Sequence, residues 1–187
     1  MTNSGVPYRK GHGTGNEFIL VNGLDGFFAD PKSLTPEMAQ KICNRETGLG
    51  ADGILRVAKA SEIDADDAQY FMDYTNADGS KSATCGNGLR VFARYLVEAG
   101  LENRGQFTIA TRAGTVTVAI SETDIDFTNI AITMGRVSLG PMDVSVHTET
   151  GSWPAVGISG MNNHAISLVN DIADAGSLDE IPTALPA

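Results

Sequence analysis

Cysteine is nearly missing from this 187-residue chain: Cys43 and Cys85 are too few for a disulfide framework and lack the paired spacing of a zinc site, so no metal is expected. In a reducing compartment both stay free thiols, which leaves reactivity as a reason for either to be present. Long hydrophobic runs are missing too. Nowhere do about 18 apolar residues follow one another, and the opening MTNSGVPYRKGHGTGNEF holds no apolar stretch of signal-peptide type, so a soluble cytoplasmic protein is expected. Positive charge is in short supply: 13 Lys and Arg stand against 23 Asp and Glu, a formal net charge of −10. Such a surface repels phosphate backbones and anionic lipid, which argues against nucleic acid and membrane as partners. What is present, 42% hydrophobic and 19% charged residues with 21 Gly, describes a globular chain with many turns, long enough for one large domain or two small ones.

Local patterns divide the chain. Phe18 to Asn22 is a short apolar run that reads as a buried strand, and the preceding GHGTGN reads as a tight loop. Thr35 before Pro36 marks a helix start, with Met38 and Ile42 on one face and an end expected at or just before Gly48. Gly50-Ala51-Asp52-Gly53 reads as a turn feeding a strand over residues 54–58, and residues 70–74 are strand-like. Leu89, Phe92, Ala93, Leu96 and Val97 fall at helical spacing and Gly100 supplies a stop, so Cys85-Gly86 sits at a helix N-terminus. Two β-branched runs around Ala113-Gly114 predict a hairpin, and a fresh strand series from Ile130 sets a domain boundary between residues 125 and 126.

Cys85, followed by Gly86-Asn87-Gly88 and a helix, lies near the positive end of a helix dipole and free backbone N–H groups, both of which stabilise a thiolate able to act as base or nucleophile. The same glycines let the backbone approach a carboxylate closely. Taken alone, Cys85 is better read as a small apolar residue packed at a helix start, and Asn16 and Asn76 as turn-forming asparagines; their neighbours shift that balance. Cys43, on the helix after Pro36, reads as a buried inert thiol, and His12 as support for the N-terminal loop. The glycine spacing of residues 11–15 lacks the Lys-Ser/Thr of a phosphate loop.

The segment Thr75-Asn76-Ala77-Asp78-Gly79-Ser80, four residues, then Cys85-Gly86-Asn87-Gly88-Leu89-Arg90 resembles the signature of the diaminopimelate epimerase family, as do Lys10 to Phe18 and Gly48-Leu49-Gly50-Ala51-Asp52-Gly53. The resemblance implies an isomerase that needs no cofactor and interconverts LL- and meso-diaminopimelate, a precursor of lysine and peptidoglycan. It implies an α+β fold of two similar domains, each a mixed or antiparallel sheet wrapped around a central helix, with the active site between them. Residues 1–125 would be the complete N-terminal domain and residues 126–187 the start of the second. Two cysteines face the α-carbon from opposite sides in this family, and Cys85 matches the first. Asn16, Asn76, Gly86 and Asn87 match substrate-binding positions, which agrees with the need to hold a carboxylate against a developing carbanion by convergent donors. In Ser159 to His164, Asn162 matches a substrate-binding asparagine and His164 a histidine that modulates the pKa of the cysteine pair. There Met161 stands for the family's glycine and Asn163 for its proline, and a structural histidine remains an equal reading of His164.

The family's second cysteine, in an Ala-Cys-Gly-Thr-Gly segment, and its arginine- and glutamate-bearing loops have no counterpart here. The expectation is therefore a truncated epimerase holding one cysteine of the pair, impaired when alone. Two alternatives stay open. One is a sister racemase or isomerase of the same fold, such as proline racemase-like enzymes, although these usually carry histidine where Asn87 stands. The other is a binding module without turnover. Strand edges left open in the second domain would permit a homodimer.

Overall fold

The computed structural model describes residues 5–140 and 142–175, which divide into two compact units that part between Met134 and Gly135. The first is built on one seven-stranded sheet in sequential order, β1 (Tyr8–Gly13), β2 (Asn16–Asn22), β3 (Gly53–Lys59), β4 (Tyr70–Asn76), β5 (Gly105–Thr111), β6 (Gly114–Ile120) and β7 (Ile130–Thr133). Only β2–β3 and β4–β5 are parallel pairs. A parallel pair needs a crossover, and the chain supplies one helix to each: α1 (Pro36–Cys43) after β2 and α2 (Gly86–Glu98) after β4. Since β3 and β4 are antiparallel, the two crossovers step the same way from strands of opposite direction. Connections of one hand then put the helices on opposite faces.

The side chains follow this division. Ile19, Val21 and Ile54 pack with Ala39 and Cys43 of α1 and with Phe28 and Leu34 on one face. Alternate residues Phe18, Leu20 and Leu55 turn to the other, where Gly88 and Val91 of α2 lie. Helix α2 touches both edge strands of the sheet, β1 and β7, so the sheet curls around it, and Leu89, Phe92, Ala93 and Leu96 are wholly buried. This is the expected α+β architecture, a sheet wrapped around a central helix. Helix α2 closes on Gly100 (φ 70°), with the Leu101 N–H bonded to Leu96 O at 2.9 Å and the Gly100 N–H to Val97 O at 3.0 Å, a left-handed C-terminal cap.

Three sequence expectations shift. The GHGTGN segment is no loop: its first residues end β1, and Thr14-Gly15 alone form the turn to β2. Helix α1 ends at Cys43, well before Gly48, because the Asn44 side chain accepts from the N–H groups of Glu46 and Thr47 at 2.9 and 2.8 Å and bends the chain away. The units part at Met134/Gly135 and not after residue 125, since β7 pairs with β6 and completes the first sheet.

The second unit is an antiparallel sheet in which β10 (Gly151–Ser159) pairs with β8 (Ser138–Leu139), β9 (Val144–Thr148) and β11 (His164–Ser167). Among its described residues only Ala155 and Gly157 are buried. No helix of the described residues is long and apolar enough to cross a membrane.

Candidate active site around Cys85

Three segments distant in sequence converge at one end of the first sheet. Asn16 opens β2, Gly53 opens β3 and Asn76 closes β4, with Phe18 opposite Gly53 and Gly53 opposite Asn76 in the ladder. Asp52 stitches them: its N–H donates to Glu17 O at 2.9 Å and its carbonyl accepts from the Ala77 N–H at 3.0 Å. Gly53 has no room for a side chain, because a Cβ there would lie 2.5 Å from Tyr74 Cε2 and 2.6 Å from Thr75 O. Asn76 heads a tight turn in which its Nδ2 donates to Ser80 Oγ at 2.9 Å, while Asp78 Oδ1 accepts from the Ser80 N–H at 2.8 Å. That turn depends on Gly79 (φ 89°), where a Cβ would stand 2.5 Å from Pro36 Cα.

Cys85 reaches the same end from α2. It is the helix N-cap in extended conformation, its Sγ accepting from the Gly88 N–H at 3.5 Å, and the thiol donates to Asn16 Oδ1 at 3.8 Å. Sulfur has displaced the usual cap oxygen and lies among the unpaired N–H groups of the first turn. The β1–β2 hairpin packs on that turn backbone to backbone: a Cβ on Gly13 would lie 2.7 Å from Asn87 O. Arg90 fastens the contact, donating to Thr14 Oγ1 at 2.9 Å, to Gly86 O at 3.3 Å and to Asn87 Oδ1. Thr14 is held at φ 56°, a position that costs a β-branched residue of order 1–3 kcal/mol and persists only where its surroundings enforce it.

The charges nearby are arranged around Asp52. Its Oδ2 accepts from Asn16 Nδ2 at 2.6 Å and from the Glu17 N–H at 2.8 Å, and its Oδ1 from Arg45 Nη2 at 2.8 Å. Burial alone would push this carboxyl up, but the Glu17 N–H, the Asn16 amide and the Arg45 guanidinium outweigh it and hold it below its ordinary value. Tyr74, edge-on to Phe18 at 5.7 Å, is pushed up to about 12 by burial, with negative charge at Cys85 and Asp52 adding to the effect, so it stays a neutral phenol. The other cysteine is elsewhere. Cys43 is 3% exposed in the α1 cluster, and burial, reinforced by Asp52, pushes its thiol up to about 11.

Asn16, Cys85, Gly86 and Asn87 are thus brought together, and Asn76 is tied to them through Gly53 and Asp52. Asn162, in the bend after β10, and His164, opening β11 opposite Ile158, are exposed residues of the second unit. Asp52 and Arg90 organise the site but carry no role in the sequence reading. Arg90 could have been found from its helical phase, three residues past Asn87. Asp52 lies in a segment that reads as a turn and as part of the family resemblance, and neither reading gives its side chain a role. A cavity of about 510 Å³ runs between β1 and α2, and its cations are engaged: Arg9 and Arg94 with Glu98, Lys10 with Glu17. Among the described residues no group of three or more His, Cys, Asp or Glu is placed to hold a metal ion.

Comparison with known proteins adds the lineage. A diaminopimelate epimerase from Streptomyces coelicolor is 39% identical over 97% of this chain and 62% of its own length. One from Corynebacterium glutamicum is 44% identical over 70% of this chain and 47% of its own length, and one from Mycolicibacterium gilvum 38% identical over 93% and 63%. The chain therefore spans between about half and just under two thirds of these curated relatives. In fold it is similar to the crystal structures of a hydroxyproline epimerase from Agrobacterium vitis (TM-score 0.67, 17% identity, 91% of this chain and 52% of that one) and of a probable proline racemase from Agrobacterium radiobacter (TM-score 0.66, 18% identity, 92% and 54%). The diaminopimelate epimerase family model matches residues 8–140, the stretch that contains the whole Cys85 cluster, and the chain belongs to the diaminopimelate epimerase family.

Proposed function

We propose that this chain takes part in epimerisation at an α-carbon of diaminopimelate, with Cys85 as the base on one face. The observation that carries the reading is the Cys85 sulfur itself, capping α2 among free N–H groups and facing the Asn16 amide. In the step proposed, the Cys85 thiolate takes the α-hydrogen as a proton and becomes the thiol, and the electron pair stays on the α-carbon, spread into the carboxylate. N–H groups of the Gly86–Asn87 turn hold that carboxylate, which favours the charge as it develops, and Asn16 and Asn76 position the rest of the α-amino acid. No cofactor enters this scheme.

Inversion requires a second acid on the opposite face. Cys43 does not supply it, being buried at the end of α1 with its thiol raised to about 11. The chain by itself is accordingly assigned proton exchange at one face and impaired epimerisation. For Asn162 and His164 the assignment as substrate ligand and pKa modulator rests on the sequence match alone.

Solvent exchange tests the base directly. The chain and its Cys85→Ser variant are incubated with LL-diaminopimelate in deuterated water, and α-deuterium is followed by mass spectrometry. Incorporation by the parent and a fall of at least about 100-fold in the variant, the scale of a lost general base, are expected. Equal rates in both would remove Cys85 as the base. An electrophilic aziridine analogue of diaminopimelate should label Cys85 and spare Cys43, and labelling of Cys43 would point the same way as equal rates.

A further inference from the structure

We propose that Asp52 is a positioning residue: it fixes the Asn16 amide with its oxygen, and not its nitrogen, facing Cys85, and thereby makes the site select for an ammonium group on the reacting carbon. The selection, though not the positioning, rests on the reading of Cys85 as the base.

The two ends of an asparagine amide are nearly equal in size, so its hydrogen-bond partners decide which way it points. Behind Asn16 the partner is a carboxylate. Asp52 Oδ2 lies 2.6 Å from Asn16 Nδ2, and the reversed amide would set oxygen against oxygen at that distance. Asp52 cannot turn aside to relieve the clash. Its Oδ2 also takes the Glu17 N–H at 2.8 Å, its Oδ1 takes Arg45 at 2.8 Å, and its backbone is bonded to Glu17 on one side and Ala77 on the other. Arg45 is held in turn by Glu17. An acceptor behind the amide therefore dictates an acceptor in front of it, the Oδ1 that lies 3.8 Å from Cys85 Sγ.

The consequence is a site of two polarities around one sulfur. The first turn of α2 offers only donors, suited to a carboxylate, and Asn16 offers only an acceptor, suited to the Cys85 thiol or to a cationic donor on the substrate. A carbon bearing both a carboxylate and an ammonium matches both halves. Its α-hydroxy counterpart brings a neutral hydroxyl, which forms the weaker hydrogen bond of the two. With Asp52 gone the amide is free to present either end, and the distinction between the two ligands fades.

The test uses the 187-residue chain and its Asp52→Ala and Asp52→Asn variants. Protection of Cys85 from iodoacetamide is titrated with LL-diaminopimelate and with the matching 2,6-dihydroxypimelate, in which a neutral donor replaces the ammonium at both ends. The parent is expected to prefer the diamino acid, Asp52→Ala to lose roughly tenfold of that preference, the scale of one hydrogen bond to a charged group, and Asp52→Asn, whose side-chain oxygen can still accept from Asn16, to recover most of it. A parent with no preference, or a preference unchanged in Asp52→Ala, would overturn the inference. If neither ligand protects the parent, the reading of Cys85 as the base fails and the selection with it. The positioning is then decided by the Asn16 side-chain ¹H–¹⁵N signals: displacement in Asp52→Ala with the backbone spectrum of the first unit retained supports it, and unmoved signals overturn it.

Discussion

The two units use their apolar residues in opposite ways. In the first, Phe92 and Leu96 are wholly buried between a curled sheet and the helix it encloses; in the second, which contains no α-helix among its described residues, Leu139 of β8 is 69% exposed and Leu168, just past β11, 91%. Both sheets pair their strands. What separates them is a second layer, since strand pairing satisfies backbone polar groups but only a packed layer removes side chains from water. The Cys85 cluster is built where that layer exists: its sulfur, its backbone donors and the carboxylate behind Asn16 all hang on elements whose inner faces are buried.

If the first unit holds most of the stability, its buried ion network is where the contrast breaks most sharply. Asp73 and Arg56 face each other across β4 and β3, 2% and 1% exposed, joined at 2.8 Å, with Lys81 at 3.0 Å and Arg112 also on Asp73 and Glu62 on Arg56. Asp73→Ala leaves the Arg56 charge buried with one of its two carboxylate partners, and a loss of about 3–5 kcal/mol in urea unfolding is expected. The same network sets an acid limit. Burial would push the Asp73 carboxyl up, but Arg112, Arg56 and Lys81 more than compensate and hold it below its ordinary value. A carboxyl lowered by folding contributes its stability fully above the unfolded-chain value of about 4 and loses it as pH falls through the folded value. The unfolding midpoint of the first unit should therefore drop below about pH 4, and Asp73→Ala should flatten that dependence. A midpoint insensitive to acid in the parent would contradict the assignment.

A core truncation comes next in size. Leu96 sits on the face of α2 that the sheet encloses, and Leu96→Ala should cost about 2–5 kcal/mol, read as a lower urea midpoint with unchanged slope. It should also loosen Cys85, because Leu89, Phe92 and Leu96 are what seat the helix whose N-terminus carries the sulfur.

How much of this was legible beforehand follows from where the information resides. Helix α2 and strands β2 to β6 show in the sequence because their burial leaves a mark: the buried positions of α2 and β6 recur with a period, and β2 to β4, buried on both faces, read as continuous runs. Strand β1 is an exposed edge of glycine, lysine, arginine and histidine, so it has a partner but no pattern. The end of α1 is decided by one Asn44 side chain that a Gly48-based stop signal does not anticipate. Strand β7 looks like the start of something new because its membership of the first sheet is a matter of pairing with β6, which composition does not encode. In the site, residues that could touch a ligand were visible through motif resemblance. The roles of Asp52 and Arg90 were not, although both fall within the quoted motifs, since Asp52 works by holding Asn16 and Arg90 by tying Asn87 to Thr14, and the contacts to Asn16 and Thr14 link positions 36 and 76 residues apart.

The smallest expected effect is the one that most sharpens the comparison. Leu139 lies on the short strand β8, opposite Ile158, with its side chain largely in water. An exposed leucine truncated to alanine forfeits little burial and leaves no cavity, so Leu139→Ala should change stability by no more than about 0.5 kcal/mol, although Leu96→Ala removes the same atoms from the same residue type. The difference between the two variants isolates the enclosing layer, because the chemistry deleted is identical and only the surroundings differ. If Leu139→Ala instead lowers the urea midpoint as far as Leu96→Ala does, the leucine of β8 is covered in solution, and the contrast between the two units is then one of what packs against each sheet and not of how much either can bury.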